Sequence, residues 1–195
     1  MDRRVVVVAY PGVQSLDVTG PVEVFAVANR HRPDPRYATT VVARRSGTLR
    51  TSSGLGLVAD AGIDDCDGPI DTLVVAGGEG TAEALADAAL IAWVRDAATR
   101  SRRVTSVCSG AFLLAAAGLL TGRRATTHWQ VCDLLGRLYP GVEVEPDRIY
   151  VRDGPVWTSA GVTAGMDLAL ALVEDDLGGT LALEVARQLV LFTQR

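Results

Sequence analysis

The sequence predicts an α/β fold, a three-layer α/β/α sandwich on a mainly parallel sheet, and three observations predict it. Residues 5–9, 71–76 and 103–107 are short runs rich in valine and threonine with little polar alternation, the pattern of strands covered on both faces. Segments with helical apolar spacing separate these runs, so strand and helix alternate along the chain. Each run also ends at a corner: Tyr10-Pro11-Gly12, Gly77-Gly78 and Cys108-Ser109-Gly110. Such corners lie at the carboxyl edge of a sheet, where α/β folds place their ligands. The 195 residues show no break in composition, so a single domain spanning 1–195 is expected.

The elements follow in order. After the first strand, residues 13–20 form a loop leading to Pro21, whose fixed φ and missing N–H suit the first turn of a helix ending near Asn29. His31-Arg32-Pro33-Asp34-Pro35 stops it. Residues 37–43 form a second strand, and 49–59 a hairpin turning at Ser53-Gly54. Residues 71–76 lead through Gly77-Gly78-Glu79-Gly80 into a helix over about 82–100, with Leu85, Leu90 and Val94 on its inner side. A strand at 103–107 turns at Cys108 into the Ala/Leu-rich helix that starts at Gly110. Residues 125–129 read as a short strand entering a helix that ends near Tyr139. Residues 148–152 and 156–159 flank Asp153-Gly154-Pro155 as a hairpin. A helix over about 162–177 stops at Gly178-Gly179, and a last amphipathic helix carries Leu183, Ala186, Leu189 and Val190.

Composition removes several function classes. The chain contains no lysine, which excludes a Walker P-loop and a Schiff-base lysine for pyridoxal phosphate. Cys66, Cys108 and Cys132 are odd in number and widely spaced, and His31 and His128 do not complete a ligand set, so neither a disulfide framework nor a metal site is expected. Gly78-Glu79-Gly80 lacks the third glycine of a dinucleotide fingerprint because Glu83 stands there; no cofactor is expected. Net charge is −4 and the arginines are scattered in pairs, so this domain itself has no basic stripe for nucleic acid. No apolar run reaches the roughly 20 residues that span a bilayer. Met1-Asp2-Arg3-Arg4 enters a strand directly instead of opening a signal peptide, so a cytoplasmic protein without membrane contact is expected.

The candidate site is built on Cys108. At a strand-to-helix corner its side chain faces unpaired N–H groups of the next helical turn, which together with the helix dipole favour a thiolate. The plain alternative is a small buried hydrophobe. Asp17 is either a cap for the helix that follows Thr19 or a partner of the thiol. If partnered and ionised it raises the thiol pKa; if protonated by burial it lowers it. The amides of Gly77 and Gly78 are candidates for polarising a carbonyl or binding an oxyanion. Asp17, Gly77-Gly78 and Cys108-Ser109 converge on one edge if their strands are neighbours. His128, at a strand-to-helix junction, reads either as a packed histidine or as a ligand contact. Cys66, among Asp64, Asp65 and Asp67, is expected to be unreactive because carboxylates raise a thiol pKa, and Cys132 to be core.

The segments 10–21, 76–78, 107–111 and 124–129 together resemble the PfpI-like branch of the class I glutamine amidotransferase-like superfamily, over essentially the whole chain. That resemblance implies two functions. One is isonitrile hydratase, a cofactor-free enzyme giving N-substituted formamides, in which the equivalents of Asp17 and Cys108 are the catalytic pair and a threonine occupies the place of Ser109. The other is the ligand-sensing and dimerisation domain of AraC-type transcription regulators. Peptidase-like and deglycase-like relatives usually carry glutamate at position 17, and many peptidase-like ones histidine at 109, so those activities are not expected. Residues 146–154, 158–167 and 185–190 resemble the regulator version more closely. On that basis the leading expectation is a small-molecule-sensing, homodimeric regulator domain, whose helix-turn-helix part for DNA is expected beyond residue 195. In it Cys108, Ser109, Gly77, Gly78 and His128 line the pocket.

Overall fold

The computed structural model describes residues 2–191 apart from Pro33 and Pro35. Its centre is a seven-stranded sheet in the order β10-β11-β7-β6-β1-β2-β5. The central strand β1 (Arg3–Val8) lies between β6 (Ile70–Val75) and β2 (Tyr37–Ala43). Beyond β6 come β7 (Ser101–Val107), β11 (Val156–Ser159) and β10 (Tyr150–Asp153), while β5 (Ala61–Gly62) closes the other edge. Every pairing is parallel except β10 with β11. Helices α1 (Ser15–His31), α6 (Ala164–Leu177) and α7 (Gly179–Gln188) pack together on one face, and α2 (Thr81–Ala86), α3 (Ala88–Thr99) and α4 (Gly110–Ala116) on the other. Val5, Val6, Val7 and Val8 are fully covered, as a strand between two helical layers must be.

Register positions the site. Val8 pairs with Val75, Val75 with Ser106, and Val107 with Ser159, so four strands end at nearly one level. The segments that leave them start at Ala9, Ala76, Cys108 and Ala160 and emerge along one edge of the sheet.

Several expected boundaries move, each for a packing reason. Helix α1 begins at Ser15, so Pro21 sits inside it instead of at its first turn. Pro21 lacks the N–H that would bond the Asp17 carbonyl. Burial offsets that loss: Val18, Gly20 and Pro21 are covered, and a side chain at Gly20 would press on Met166 of α6. Pro33 and Pro35, expected to stop the helix, lie outside the described residues. The helix expected over 82–100 is two, because the Asp87 carboxylate accepts from the amides of Ala89 and Leu90, both at 3.1 Å, and starts α3 afresh. The hairpin near 49–59 is present as β3 (Gly47–Arg50) with β4 (Gly56–Ala59).

Of the strand expected at 125–129, only β8 (Arg124–Ala125) pairs, with β9 (Glu143–Val144). The next residues bond to side chains instead: the Thr126 amide donates to Thr158 Oγ1 at 2.8 Å, and a 3-10 turn over Trp129–Val131 leads into α5 (Cys132–Leu138). In the last helix the buried positions are Ala182, Val185 and Ala186; Leu183 is half exposed, and Leu189 and Val190 follow the helix end.

At the opposite, amino-terminal edge a buried ionic cluster ties α6 to the sheet. Arg103 of β7 reaches Asp176 at 2.6 Å and donates to Thr72 Oγ1 at 2.8 Å, and the Tyr37 hydroxyl donates to Asp176 at 2.9 Å. Arg102 adds a bond to Asp176 at 2.8 Å.

Candidate active site

Cys108 follows the last residue of β7 and adopts φ +55°, in the left-handed region that a side chain seldom occupies. Bonds on both sides hold it there. Its amide donates to the Ser159 carbonyl at 3.1 Å, and its own carbonyl accepts from Thr127 Oγ1 at 2.8 Å. Gly161, which follows β11, makes room for the turn: at φ +97° a Cβ there would lie 2.2 Å from Cys108 Cβ. Gly77 is pressed from the other side, where a Cβ would sit 2.5 Å from the Ser109 amide nitrogen.

Asp17 is fully buried in the first turn of α1, yet it does not cap that helix. Its Oδ2 accepts from the Gly77 amide at 3.1 Å, its Oδ1 from the Val162 amide at 2.8 Å, and its carboxyl shares a hydrogen bond with the Cys108 thiol. Burial is the largest influence and pushes Asp17 up to about 6, against the downward pull of those three bonds. The Cys108 thiol is pushed up to about 12, first by burial and then by the Asp17 charge, which outweigh the hydrogen bonds from Ser109. The expected thiolate at a helix start is therefore overturned: the helix-start amide contributes, but desolvation and the carboxylate outweigh it. Between those two values the pair holds one proton, so an S–H can pass its proton to the carboxylate without changing the charge of the site.

The glycine pair also differs from expectation. The Gly77 amide is committed to Asp17, and the Gly78 amide donates to Ser109 Oγ at 2.9 Å, so neither N–H is left for an oxyanion. Ser109 Oγ lies 2.7 Å from Thr81 Oγ1, which in turn lies 3.0 Å from the Tyr10 hydroxyl.

A cavity of about 610 Å³ opens on this edge. Cys108, Ser109, Gly78 and His128 line it, and Leu85, Phe112, Val131, Leu134 and Leu138 supply apolar wall. Asp17 is sealed behind the sulfur and Gly77 stays outside the lining. His128 sits at the rim, its ring centroid 5.8 Å from that of Trp129, which is 72% exposed. Cys66 is buried with the Arg4 guanidinium, not a carboxylate, donating to its sulfur at 3.3 Å; Cys132 is buried as expected. Among the described residues no cluster of three or more His, Cys, Asp or Glu side chains is placed to hold a metal, and no helix is long and apolar enough to cross a membrane.

The structure thus brings Asp17, Gly77-Gly78 and Cys108-Ser109 together and adds four residues that the sequence reading did not select: Tyr10, Thr81, Gly161 and Val162. Gly161-Val162 had a readable signal, being a glycine corner after a strand like the other three. Tyr10 and Thr81 had none, because a hydroxyl's partner across the chain leaves no local pattern.

Several known proteins are similar to this chain. Isonitrile hydratase of Pseudomonas putida is 39% identical over 180 residues, covering 92% of this chain and 75% of the hydratase. The HTH-type transcriptional regulator CdhR of Pseudomonas aeruginosa is 34% identical over 184 residues, 93% of this chain but 53% of the regulator. The crystal structure of a THiJ/PfpI family protein from Pseudomonas syringae superposes with a TM-score of 0.87 at 31% identity, covering 100% of this chain and 77% of that one. The sequence profile of the DJ-1/PfpI family matches residues 3–175, from the first residue of β1 nearly to the end of α6, and so takes in every strand end that builds the cysteine corner: the chain belongs to the DJ-1/PfpI family.

Proposed function

We propose that this chain is a cysteine-dependent hydratase of uncharged isonitriles. The observation that carries the reading is the fully buried Asp17 carboxyl, held by the Gly77 and Val162 amides and hydrogen-bonded to Cys108, which lines a largely apolar cavity. An isonitrile carries its reactive carbon at the tip of a neutral, linear group, which suits a cavity with apolar walls and one nucleophile. The thiol proton passes to Asp17, sulfur bonds to the terminal carbon, and the proton ends on that carbon, leaving an S-linked thioimidate. Water then adds across the C=N bond, oxygen to carbon and a proton to nitrogen. Collapse of that adduct breaks the C–S bond, returns a proton to sulfur and releases the N-substituted formamide. No redox step occurs. The 39% identity to a hydratase supports this reading.

The test is incubation with phenyl or cyclohexyl isonitrile and chromatography of the formamide. Wild-type protein gives formamide, Cys108→Ala gives none, and Asp17→Asn is slower by about 10²- to 10⁴-fold. Formamide at the Cys108→Ala level from wild type sinks the proposal.

A second reading has its own support. The chain matches CdhR along 93% of its own length while spanning about half of that regulator, which fits a homodimeric sensing domain that binds a small molecule in the same cavity, with DNA contacted by another domain. Saturable binding of an isonitrile or formamide without turnover favours this reading over the first.

A further inference from the structure

Thr81 deepens the hydratase reading, on which its role rests. Thr81 Oγ1 meets three groups: the Gly78 carbonyl at 2.6 Å, Ser109 Oγ at 2.7 Å and the Tyr10 hydroxyl at 3.0 Å. It has one proton to give. The shortest contact, to a carbonyl that can only accept, takes it. Tyr10, buried, donates its own proton to the Ala76 carbonyl at 3.0 Å. Thr81 Oγ1 is then left as an acceptor, and once the sulfur is bonded to carbon and no longer draws the Ser109 hydroxyl, Ser109 donates to it. Ser109 Oγ already accepts from the Gly78 amide at 2.9 Å. Every proton in the cluster is thereby placed, and Ser109 Oγ keeps an unused lone pair beside Cys108, on a residue that, like Thr81, lines the cavity.

The geometry points to Thr81 as a positioning residue that turns the Ser109 hydroxyl into a fixed acceptor toward the cavity, where it holds the water that attacks the Cys108-bound thioimidate. A water donating one hydrogen to Ser109 Oγ presents its oxygen lone pair to the neighbouring carbon. In that step the O–C bond forms, the C=N π pair moves to nitrogen, and nitrogen takes the proton. Without Thr81 Oγ1, the Ser109 proton loses its internal acceptor and turns to the cavity or to the more distant Gly78 carbonyl at 3.3 Å. Ser109 then offers a donor where the attacking water needs an acceptor. The first step, addition of the thiol, needs no acceptor at Ser109, whose hydrogen bonds then favour the thiolate.

That division sets the experiment. Thr81→Val keeps the shape and removes the hydroxyl, Thr81→Ser restores it, and Thr81→Ala serves if the valine variant does not fold. Each is incubated with phenyl isonitrile while formamide is followed by chromatography and the Cys108 adduct by intact-protein mass. Expected is a fall in kcat of about a hundredfold for Thr81→Val without a rise in KM, with the adduct accumulating, and recovery in Thr81→Ser. A merely structural role would slow adduct formation and release alike, and that result, or turnover at the wild-type rate, overturns the proposal. Wild-type protein is measured first: if it makes no formamide the hydratase reading itself fails and this inference falls with it, a result distinct from an active wild type with an unaffected Thr81→Val.

Discussion

The Val162 amide donates to Asp17 Oδ1 at 2.8 Å across 145 residues of chain. That bond joins the first turn of α1 to the corner after β11, and both segments close around Cys108. Asp17 is thus held by backbone amides from two different strand ends, Gly77 being the other. A carboxylate fixed in this way cannot turn to water, and it stays aimed at the sulfur.

Burial of Asp17 sets a pH dependence of stability. Its folded pKa of about 6 lies above the ordinary value of 3.8, so the folded state keeps a proton that the unfolded chain gives up. The stabilisation is fully present below pH 3.8 and is lost as pH rises through about 6. Between pH 4 and 7 wild type therefore loses roughly 2 kcal/mol relative to Asp17→Asn. Urea midpoints of the two proteins across that range measure it, and parallel curves would show that the carboxyl is not perturbed.

On the proposed hydratase reading, the rate of hydration follows the same group. The active pair holds one proton, so kcat/KM falls about tenfold per pH unit once the medium drops below about 6 and Asp17 takes a second. A profile flat to pH 4.5 places the proton transfer elsewhere.

Alkylation separates the thiol's acidity from its chemistry. The Asp17 charge raises the Cys108 pKa, so removing it in Asp17→Asn lowers that pKa and leaves more thiolate at pH 8.5. Iodoacetamide then modifies Cys108 faster in the variant than in wild type, opposite to the slowing that the hydratase reading expects for turnover. Slower alkylation in the variant would make Asp17 an activating base for any electrophile.

Gly161→Ala tests the corner. The new Cβ meets Cys108 Cβ at 2.2 Å and the backbone holds φ +97°, so both contact and strain oppose it. A loss of about 3 kcal/mol is expected, with loss of adduct formation, read by urea unfolding and intact mass.

At the far edge, Arg103→Ala leaves Asp176 without its closest buried partner and is expected to cost about 3–5 kcal/mol in urea unfolding. The cavity is at the other end of the strands, so the pH dependence of any remaining turnover is unchanged.

The alternation of apolar strand and helix was legible from the residues, because burial on both faces of a strand and on one stripe of a helix leaves a local pattern in composition. Glycine corners after residues 9, 76 and 107 marked the strand ends for the same reason, and Cys108 stood out at one of them. Boundaries that depend on a distant neighbour were not legible: α1 runs through Pro21 because α6 packs on it, and residues 126–128 bond to side chains instead of extending a strand. The site divided the same way. Residue types nominated Asp17 and Cys108, whereas the thiol's raised pKa, the commitment of the Gly77 and Gly78 amides, and the part played by Thr81 and Val162 were decided by tertiary structure. A pKa and a hydrogen-bond partner depend on what surrounds a group in space, and no local stretch of chain carries that information.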